Sequence, residues 1–129
     1  IPESLSGSPT GVFVGISNYD YYEHLMRSTV DQHAYAMIGN NNCIAANRIS
    51  YLSNFTGPSI AVDTACSSSL MAIHLACQSI WNRECSLAIA SGVNIVLSPR
   101  VTASFSQGGF MAADGRCKTF DAGADGYVR

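Results

Sequence analysis

Blocks of apolar residues alternate along the chain with stretches in which apolar residues recur at helical spacing. The blocks are short, and their β-branched or small residues are typical of buried strands. They are residues 11–17, 60–63 and 85–96. Because strands that alternate with helices form mostly parallel sheets, the pattern predicts an α/β fold. No linker is found that would divide residues 1–129, and no second domain is expected.

The first two helices are predicted from capping residues as well as from periodicity. Asp20 and Glu23 have the spacing of a capping box and open a helix whose apolar face extends to Met26. The asparagines at 40–42 offer a cap for a second helix. We expect Arg48 to lie at the surface of this second helix, since a long charged side chain extends to solvent.

The longest helix is predicted after Cys66 and ends near Trp81. Its apolar residues lie on nearly all sides, which is typical of a central helix that is covered on several sides. In the strand that follows, Gly92 indicates a bend or a close approach of two backbones. From Ser98 onward the chain is irregular and rich in glycine, with a short helix predicted over residues 101–106.

Composition and charge limit the classes of partner. With 47 % hydrophobic and 12 % charged residues, the chain is typical of a compact globular protein. The 7 basic and 9 acidic residues give a net charge of −2, and no basic cluster is present that would bind nucleic acid or an anionic membrane. No apolar run approaches the roughly 18 residues that a membrane span needs, and the N-terminus has no signal-peptide pattern. The expected partner is a small molecule or another protein.

The five cysteines predict neither a disulfide framework nor a metal site. Their number is odd, no CxxC motif is present, and no His/Cys pair has the spacing of zinc ligands. Reduced thiols are typical of a cytoplasmic protein, and we expect no directly bound cofactor or metal. Cys43, Cys77 and Cys85 are predicted to lie in the core, whereas Cys117, between Arg116 and Lys118, is a minor candidate for a reactive thiol.

Cys66 is the principal candidate for chemistry because of its place between a strand and a helix. The strand ends at Asp63, and Cys66 follows in a tight turn, where the first N–H groups of the helix are expected to face its sulfur. These groups favour the thiolate, the form that attacks a carbonyl. Small neighbours leave room for a substrate carbonyl, as in the nucleophile elbow of serine hydrolases. They are Thr64, Ala65, Ser67, Ser68 and Ser69.

No histidine is placed to act as the proton carrier of this cysteine. His74 lies on the same helix at about 12 Å from Cys66, given the rise of an α-helix. His24 and His33 lie outside any motif that would expose them in a site, and each is expected to be a surface or capping residue. The groups that handle protons for Cys66 are therefore expected outside these residues.

Four sequence motifs resemble one family of enzymes. VDTACSSSL is similar to the active-site signature of β-ketoacyl synthases. GPSIAVDTACSSSLMAIHLACQSI, SGVNIVLSP and DGRCKTFDAGADGYVR resemble, in the expected order, the ketosynthase domain of modular type I polyketide synthases. The resemblance covers nearly the whole chain from Gly11. It assigns Cys66 to the family's acyl-accepting cysteine, whereas the family's two catalytic histidines and its lysine belong to downstream motifs that this sequence does not contain.

The resemblance implies the thiolase-like fold, which has two similar βαβ-layered halves. Residues 1–129 would be the N-terminal part of such a domain, mostly its first half, with the helix after Cys66 buried at the centre. Because the chain begins at Ile1 and ends at Arg129 without a stop signal, we expect a fragment. Because the family's histidine and lysine motifs are missing from it, we expect this fragment to be inactive when isolated. Tyr127 would either border the acyl pocket or be a core tyrosine.

The activity implied by the resemblance is acyl transfer followed by decarboxylative Claisen condensation in polyketide biosynthesis. Cys66 would take the growing acyl chain from the phosphopantetheine thioester of an acyl carrier protein, with its own backbone N–H in an oxyanion hole. A malonyl-type thioester on a second carrier protein would then lose CO2 and attack the acyl-cysteine. The full-length parent would act as a homodimer, without nucleic acid or membrane partners.

Three alternatives remain open. The condensing domain of a fatty acid synthase uses the same nucleophile, although the CSSSL and DGRCKTFDA segments favour the polyketide enzymes. A cysteine hydrolase of acyl or peptide substrates would need a histidine near Cys66. A non-catalytic scaffold that contributes only dimer contacts is disfavoured because such relatives generally lose the nucleophile, and Cys66 is retained.

Overall fold

The protein is described by a computed structural model that covers residues 3–28 and 35–129. Two compact units are present, residues 1–95 and residues 96–129. The first unit contains the sheet and the helices that pack on it, and the second contains one helix followed by turns. Among the described residues, no helix has the length and apolar character needed to span a membrane.

A parallel three-stranded sheet forms the centre of the first unit. Its strands are β1 (Thr10–Gly15), β2 (Ser59–Val62) and β3 (Leu87–Gly92). The order is β2-β1-β3, so β1 pairs in parallel with both neighbours, and Gly15 at its end lies opposite Val62 on one side and Gly92 on the other. The predicted parallel α/β sheet is therefore confirmed.

The third apolar block is a partly exposed edge strand, and the prediction that it is buried was wrong. β1 is buried along its whole length, whereas β3 is exposed at Leu87 and over its last three residues. The difference follows from the neighbours of each strand. β1 is covered on both faces and paired on both sides, but within the described residues β3 pairs only with β1 and makes its extensive helix contacts with a single helix.

Five α-helices lie within the described ranges of the chain. They are α1 (Asp20–Arg27), α2 (Tyr35–Asn40), α3 (Cys43–Ser53), α4 (Ser68–Trp81) and α5 (Pro99–Gln107), and short 3-10 turns are formed by Glu3–Leu5 and Ala65–Ser67. Helix α3 packs on β1 and β2, and helix α4 packs on all three strands. The short helix predicted over residues 101–106 is confirmed as part of α5.

The core consists of two clusters that lie on opposite faces of β1. Val12 and Val14 contact Ala46 of α3 and Phe55, whereas Phe13, between them in sequence, contacts Ala72 and Ala76 of α4. Successive side chains of a strand point to opposite faces, so one strand supplies both clusters. Each cluster excludes water from a single helix–sheet interface.

The starts of α1 and α3 differ from the predicted caps. Tyr19 is the N-cap of α1, and Asp20, which the capping box would place there, is already the first helical residue and is buried. At α3 the N-cap is Asn42 as expected, but its side chain makes no capping bond. The neighbouring Asn41 Oδ1 instead accepts a long hydrogen bond from the Cys43 N–H at 3.4 Å.

Helix α4 buries only its small residues. The buried positions are Ser68, Ala72, Ala76 and Ser79. Their small side chains let the helix approach the sheet closely, and the large residues Leu70, Ile73 and Trp81 point away, with 70 %, 50 % and 71 % of their surface exposed. Within the described residues the helix is therefore covered on one side, and not on several sides as its all-round apolarity predicted.

Candidate active site

Cys66 lies in the turn that joins the end of β2 to the start of α4. The strand ends at Val62, and Cys66 is the middle residue of the 3-10 turn Ala65–Ser67, which leads directly into Ser68, the first residue of α4. Its side chain is a free thiol and is exposed. The predicted position between a strand and a helix is confirmed, and the sulfur is accessible to a reactant.

Side chains on either side of Cys66 hold the backbone of this turn. Asp63 Oδ1 accepts a hydrogen bond from the Ala65 N–H at 3.0 Å. Ser68 Oγ accepts from the Thr64 N–H at 2.9 Å and donates to the Ala65 carbonyl at 2.6 Å. Ser67 Oγ donates to the Thr64 carbonyl at 2.8 Å. The turn is therefore fixed by hydrogen bonds of its own side chains.

Ala65, directly before Cys66, has a left-handed backbone with a φ of 54°. In this region the Cβ of an L-residue crowds the following carbonyl oxygen, at a cost of about 1–2 kcal/mol. A residue other than glycine keeps such a conformation only where its surroundings over-determine it. The hydrogen bonds to the N–H and the carbonyl of Ala65 provide that constraint, and they define the direction in which Cys66 leaves the turn.

Two glycines at the ends of neighbouring strands bring the start of α4 close to the sheet. A Cβ added to Gly15 would lie 2.7 Å from the Ser68 carbonyl carbon and 2.7 Å from the Ser69 nitrogen. A Cβ added to Gly92 would lie 3.0 Å from the Ser69 Cβ, so the close neighbour of this glycine is a side chain and not the second backbone that was one of the two predicted alternatives. Because Gly15 and Gly92 are paired in the sheet, they form one surface beneath the first turn of the helix.

The backbone N–H of Cys66 is available to a ligand. Those of Thr64, Ala65, Ser67 and Ser68 are each engaged within the turn. By contrast, the Cys66 N–H forms no hydrogen bond with residues 3–28 or 35–129. A backbone donor beside an accessible sulfur can receive the oxygen of a carbonyl that the sulfur attacks.

The other cysteines differ in their surroundings. Cys85 is buried with its sulfur 3.4 Å from Ser79 Oγ, as predicted for a core residue, and Cys77 is half-buried. Cys43 is exposed, so its predicted place in the core was wrong: it is the first residue of α3, and its sulfur lies 3.2 Å from Asn41 Oδ1. Cys117 is also exposed.

The structure describes two of the three histidines, and neither His24 nor His74 forms a hydrogen bond with Cys66. His24 on α1 is exposed as predicted, and His74 is exposed on α4 beyond the first turn of that helix. His33 lies outside the described residues. Over the described parts of the chain, no group of three or more His, Cys, Asp or Glu side chains could hold a metal ion.

In the second unit, Lys118 joins two acidic side chains. Its ammonium group contacts Asp125 and lies 3.2 Å from Asp114 Oδ1. The hydrogen bond with Asp125 raises the pKa of Lys118, and the hydrogen bond from Lys118 lowers the pKa of Asp114. The lysine thereby connects the two ends of the segment between these aspartates.

Tyr127, which the resemblance placed either beside the acyl pocket or in the core, belongs to a small aromatic cluster. Its backbone forms a bridge with Met111, and its ring lies 6.1 Å from that of Phe105, which also meets Phe110 edge-on at 5.9 Å. Tyr127 is 40 % exposed. The described contacts are packing contacts, and the expected place of Tyr127 beside an acyl pocket stays a prediction.

One family model matches the whole length of the chain. The family model described as "Beta-ketoacyl synthase, N-terminal domain" matches residues 1–129. The chain therefore belongs to the β-ketoacyl synthase family, as its sequence motifs predicted.

Polyketide synthases from distant organisms are similar to the chain over almost all of its length. It is 49 % identical over 128 residues to a phenolphthiocerol/phthiocerol polyketide synthase of Mycobacterium tuberculosis, a match that covers 99 % of this chain and 7 % of the relative. It is 46 % identical over 127 residues to the highly reducing polyketide synthase dmxL2 of a Cryptosporiopsis species, covering 98 % of this chain and 5 % of the relative. The chain thus spans less than a tenth of the length of these relatives.

Solved ketosynthase domains have the same fold. The oxazolomycin ketosynthase domain OzmH KS7 of Streptomyces albus JA3453 is 43 % identical, with a TM-score of 0.81 over 97 % of this chain. The ketosynthase from module 6 of the bacillaene synthase of Bacillus subtilis 168 is 40 % identical, with a TM-score of 0.84 over the same share of the chain. The predicted thiolase-like α/β fold is therefore confirmed. The chain spans 22 % and 20 % of these two structures.

The sequence indicates the candidate nucleophile but not the role of the residues that hold its turn. Ser68 was predicted only as a small neighbour, whereas its hydroxyl forms two hydrogen bonds and is buried. Asp63 was predicted only as the end of a strand. Its role could have been found, because an aspartate directly after a strand commonly accepts from the N–H two residues further on. Gly15 carries no sequence signal that distinguishes it from other strand glycines.

Proposed function

We propose that this chain is the N-terminal part of a ketosynthase domain of a polyketide synthase, and that Cys66 is its acyl-accepting nucleophile. The observation that carries the proposal is the exposed thiol of Cys66 beside its own unpaired N–H, at the junction of β2 and α4, in a chain of the β-ketoacyl synthase family. Polyketide synthases among the relatives favour this class over a fatty acid synthase. The chain covers about a fifth of a ketosynthase structure, so the complete activity requires further residues.

In the first half-reaction the Cys66 thiolate attacks the carbonyl carbon of an acyl thioester. The substrate is carried on the phosphopantetheine arm of an acyl carrier protein, which supplies the thioester without being a bound cofactor of this chain. A bond forms between Cys66 Sγ and the acyl carbon, and the bond from that carbon to the phosphopantetheine sulfur breaks. The proton that Cys66 gave up is taken by the released thiol.

The Cys66 N–H is proposed as one donor to the oxyanion of this step. When the carbonyl carbon becomes tetrahedral, its oxygen gains negative charge and requires hydrogen bonds that are already in place. Since neighbouring N–H groups of the turn are engaged, the Cys66 N–H is the backbone donor left free beside the sulfur within the described residues. Loss of one such donor typically slows acyl transfer by about 100- to 1,000-fold.

In the second half-reaction a malonyl-type thioester condenses with the acyl-cysteine. The extender loses CO2, and the electron pair of the broken carbon–carbon bond becomes an enolate carbanion. This carbanion attacks the acyl carbon, the bond to Cys66 Sγ breaks, and the thiolate is regenerated. The enolate and its protons need partners that His24 and His74 do not provide at Cys66, and we propose that they come from the rest of the domain.

The experiment that tests the proposal follows a radiolabelled acyl group in the complete synthase that contains this chain. With an acyl-carrier-protein thioester as donor, we expect the label to become bound to the protein, and Cys66→Ala should abolish this labelling. Cys43→Ala is a matched control, because Cys43 is also an exposed thiol at the first turn of a helix. It should label normally.

Two outcomes would contradict the proposal. Labelling that survives in Cys66→Ala would place the nucleophile elsewhere. Release of free acid as the main product, without stable labelling or condensation, would instead favour a hydrolase. The same preparation treated with limiting iodoacetamide should be alkylated first at Cys66. Dominant alkylation at Cys43 or Cys117 would contradict the prediction that Cys66 is the most reactive thiol of the chain.

A further inference from the structure

The hydroxyl group of Ser68 forms a bridge across Thr64 and Ala65, the two residues that precede Cys66. It accepts a hydrogen bond from the Thr64 N–H at 2.9 Å and donates one to the Ala65 carbonyl at 2.6 Å. Only 5 % of Ser68 is exposed, so both bonds are largely protected from water. A single hydroxyl therefore connects the peptide group before Thr64 with the peptide group that joins the left-handed residue Ala65 to Cys66.

Ser68 is itself held by the sheet. It is the first residue of α4, and its backbone rests on Gly15 so closely that a methyl group at that glycine would lie within 2.9 Å of the Ser68 carbonyl oxygen and 2.7 Å of its carbonyl carbon. The backbone of Ser68 is therefore so close to Gly15 that the start of α4 cannot move nearer to β1. The position of the Ser68 hydroxyl is thus determined by β1 and α4 together, before any substrate is present.

The bridge connects this rigid part to the proposed nucleophile. Rotation about the Ala65 backbone would turn both the Cys66 N–H and the Cys66 side chain, because they follow directly in the chain. The left-handed φ of 54° at Ala65 is unfavourable for an alanine, so the turn would relax if its constraint were removed. Asp63 also binds the Ala65 N–H, and the Ala65 carbonyl, the group adjacent to Cys66, accepts from both the N–H and the hydroxyl of Ser68. Of these bonds, the one from the hydroxyl is the bond that Ser68→Ala removes.

We propose that Ser68 is a positioning residue, which aims the Cys66 N–H and sulfur for acyl transfer by holding the Ala65 peptide in its left-handed conformation. This inference rests on the proposed function of Cys66. Ser68 does not exchange protons with substrate, since its hydrogen bonds are both made to the backbone and its side chain is buried. Its effect should therefore be larger on the step that needs an oriented N–H donor than on simple substitution at the sulfur.

Two reactions of the same thiol distinguish positioning from a general structural role. Acyl transfer from a carrier-protein thioester forms a tetrahedral oxyanion and needs the Cys66 N–H, whereas alkylation by iodoacetamide displaces iodide at a saturated carbon and forms no such oxyanion. Ser68→Ala in the complete synthase should lower the rate of acyl-cysteine formation by about 10- to 100-fold at saturating thioester. Alkylation at a pH where the thiol is ionised should change by less than about threefold, given that no oriented donor is needed.

Two further variants serve as controls. Ser68→Thr keeps the hydroxyl and should recover most of the acylation rate that Ser68→Ala loses. Ser50→Ala removes another hydroxyl of similar burial, which donates to Ser59 Oγ at 3.0 Å between α3 and β2, away from the turn at Cys66. It should lower thermal stability to a similar extent and leave acylation of the folded protein unchanged.

The results have separate consequences for the two proposals. Normal acylation in Ser68→Ala, or a parallel fall in acylation and alkylation that follows the folded fraction, would overturn the positioning role while leaving Cys66 as nucleophile. A fall in acylation that Ser68→Thr does not recover would also overturn it, because the hydroxyl would not be the responsible group. Acyl labelling that persists in Cys66→Ala would overturn the proposed function, whatever the Ser68 variants do.

Discussion

Gly15→Ala tests whether the contact between β1 and the start of α4 holds the turn at Cys66. The added methyl carbon would lie 2.7 Å from the Ser68 carbonyl carbon and from the Ser69 nitrogen, and 2.9 Å from the Ser68 carbonyl oxygen. These are main-chain atoms, which have no alternative rotamer. To reach the ~3.5 Å at which two carbon atoms attract each other, strand and helix must separate by roughly 0.8 Å.

The expected cost follows from this displacement. Overpacking of a close-packed interior typically destabilises a protein by about 1–3 kcal/mol. The same separation would disturb the interface of Phe13 with Ala72 and Ala76, because that cluster lies on the same face of the sheet. We therefore expect the free energy of unfolding to fall by about 1–3 kcal/mol and acyl transfer to Cys66 to slow by about tenfold or more, since sub-ångström misplacement of reacting groups is costly.

The assay is urea unfolding of the ketosynthase domain that contains these residues, together with the acyl-labelling rate of the folded protein. Gly39→Ala is the control: a Cβ at this glycine of α2 would meet nothing within 4 Å. That variant should be more stable by up to about 1 kcal/mol, as is usual for glycine replaced by alanine in a helix. If Gly15→Ala unfolds at the wild-type urea concentration and labels at the wild-type rate, the packing argument is refuted.

Two further predictions concern the turn and the second unit. Ala65→Gly removes the Cβ that disfavours the left-handed φ, so the free energy of unfolding should rise by up to about 1 kcal/mol. Acyl transfer to Cys66 should become slower, because the backbone of the turn gains conformational freedom. Acyl transfer that is faster in the folded variant than in the folded wild type would contradict this prediction. Lys118→Met should flatten the pH dependence of the melting temperature at both extremes. Because the pKa of Asp114 is lowered in the folded protein, the ionised carboxylate stabilises the fold fully above pH 3.8, the ordinary pKa of this group. This stabilisation is lost as the pH falls through the lower pKa of the folded state. Because the pKa of Lys118 is raised in the folded protein, its ammonium group stabilises the fold fully below pH 10.5, and this stabilisation is lost as the pH rises through the higher pKa of the folded state. If the melting temperatures of variant and wild type coincide at every pH, the contacts of Lys118 with Asp114 and Asp125 do not stabilise the fold.

The parts of the fold that depend on local pattern could be predicted from the sequence. The strand before Cys66, the helix after it and the helix near residue 101 each have a continuous signal within one segment. The parallel arrangement followed from the alternation of these segments. At Gly92 the sequence left a bend or a close backbone approach open, and the structure places the Ser69 side chain near this glycine.

The parts that depend on which neighbours cover a residue could not be predicted. Cys43 was placed in the core by its residue type, yet the first position of α3 turns it to solvent. For α4, apolarity on every side did not indicate which side meets the sheet, and the buried side is the one with the smallest residues. The hydrogen bonds of Ser68 depend on the positions of peptide groups three and four residues away, which residue type alone does not define.

The sheet has β1 at its centre, so each of the other two strands has an outer side. Within residues 3–28 and 35–129, neither β2 nor β3 has a second strand partner. Rows of unpaired peptide groups are templates on which strands of other molecules assemble. Cross-linking or light scattering of residues 1–129 alone would therefore report self-association through the strand edges as well as any native dimer contact. The oligomeric state should be measured in a longer form of the protein in which the outer edges of β2 and β3 are both covered.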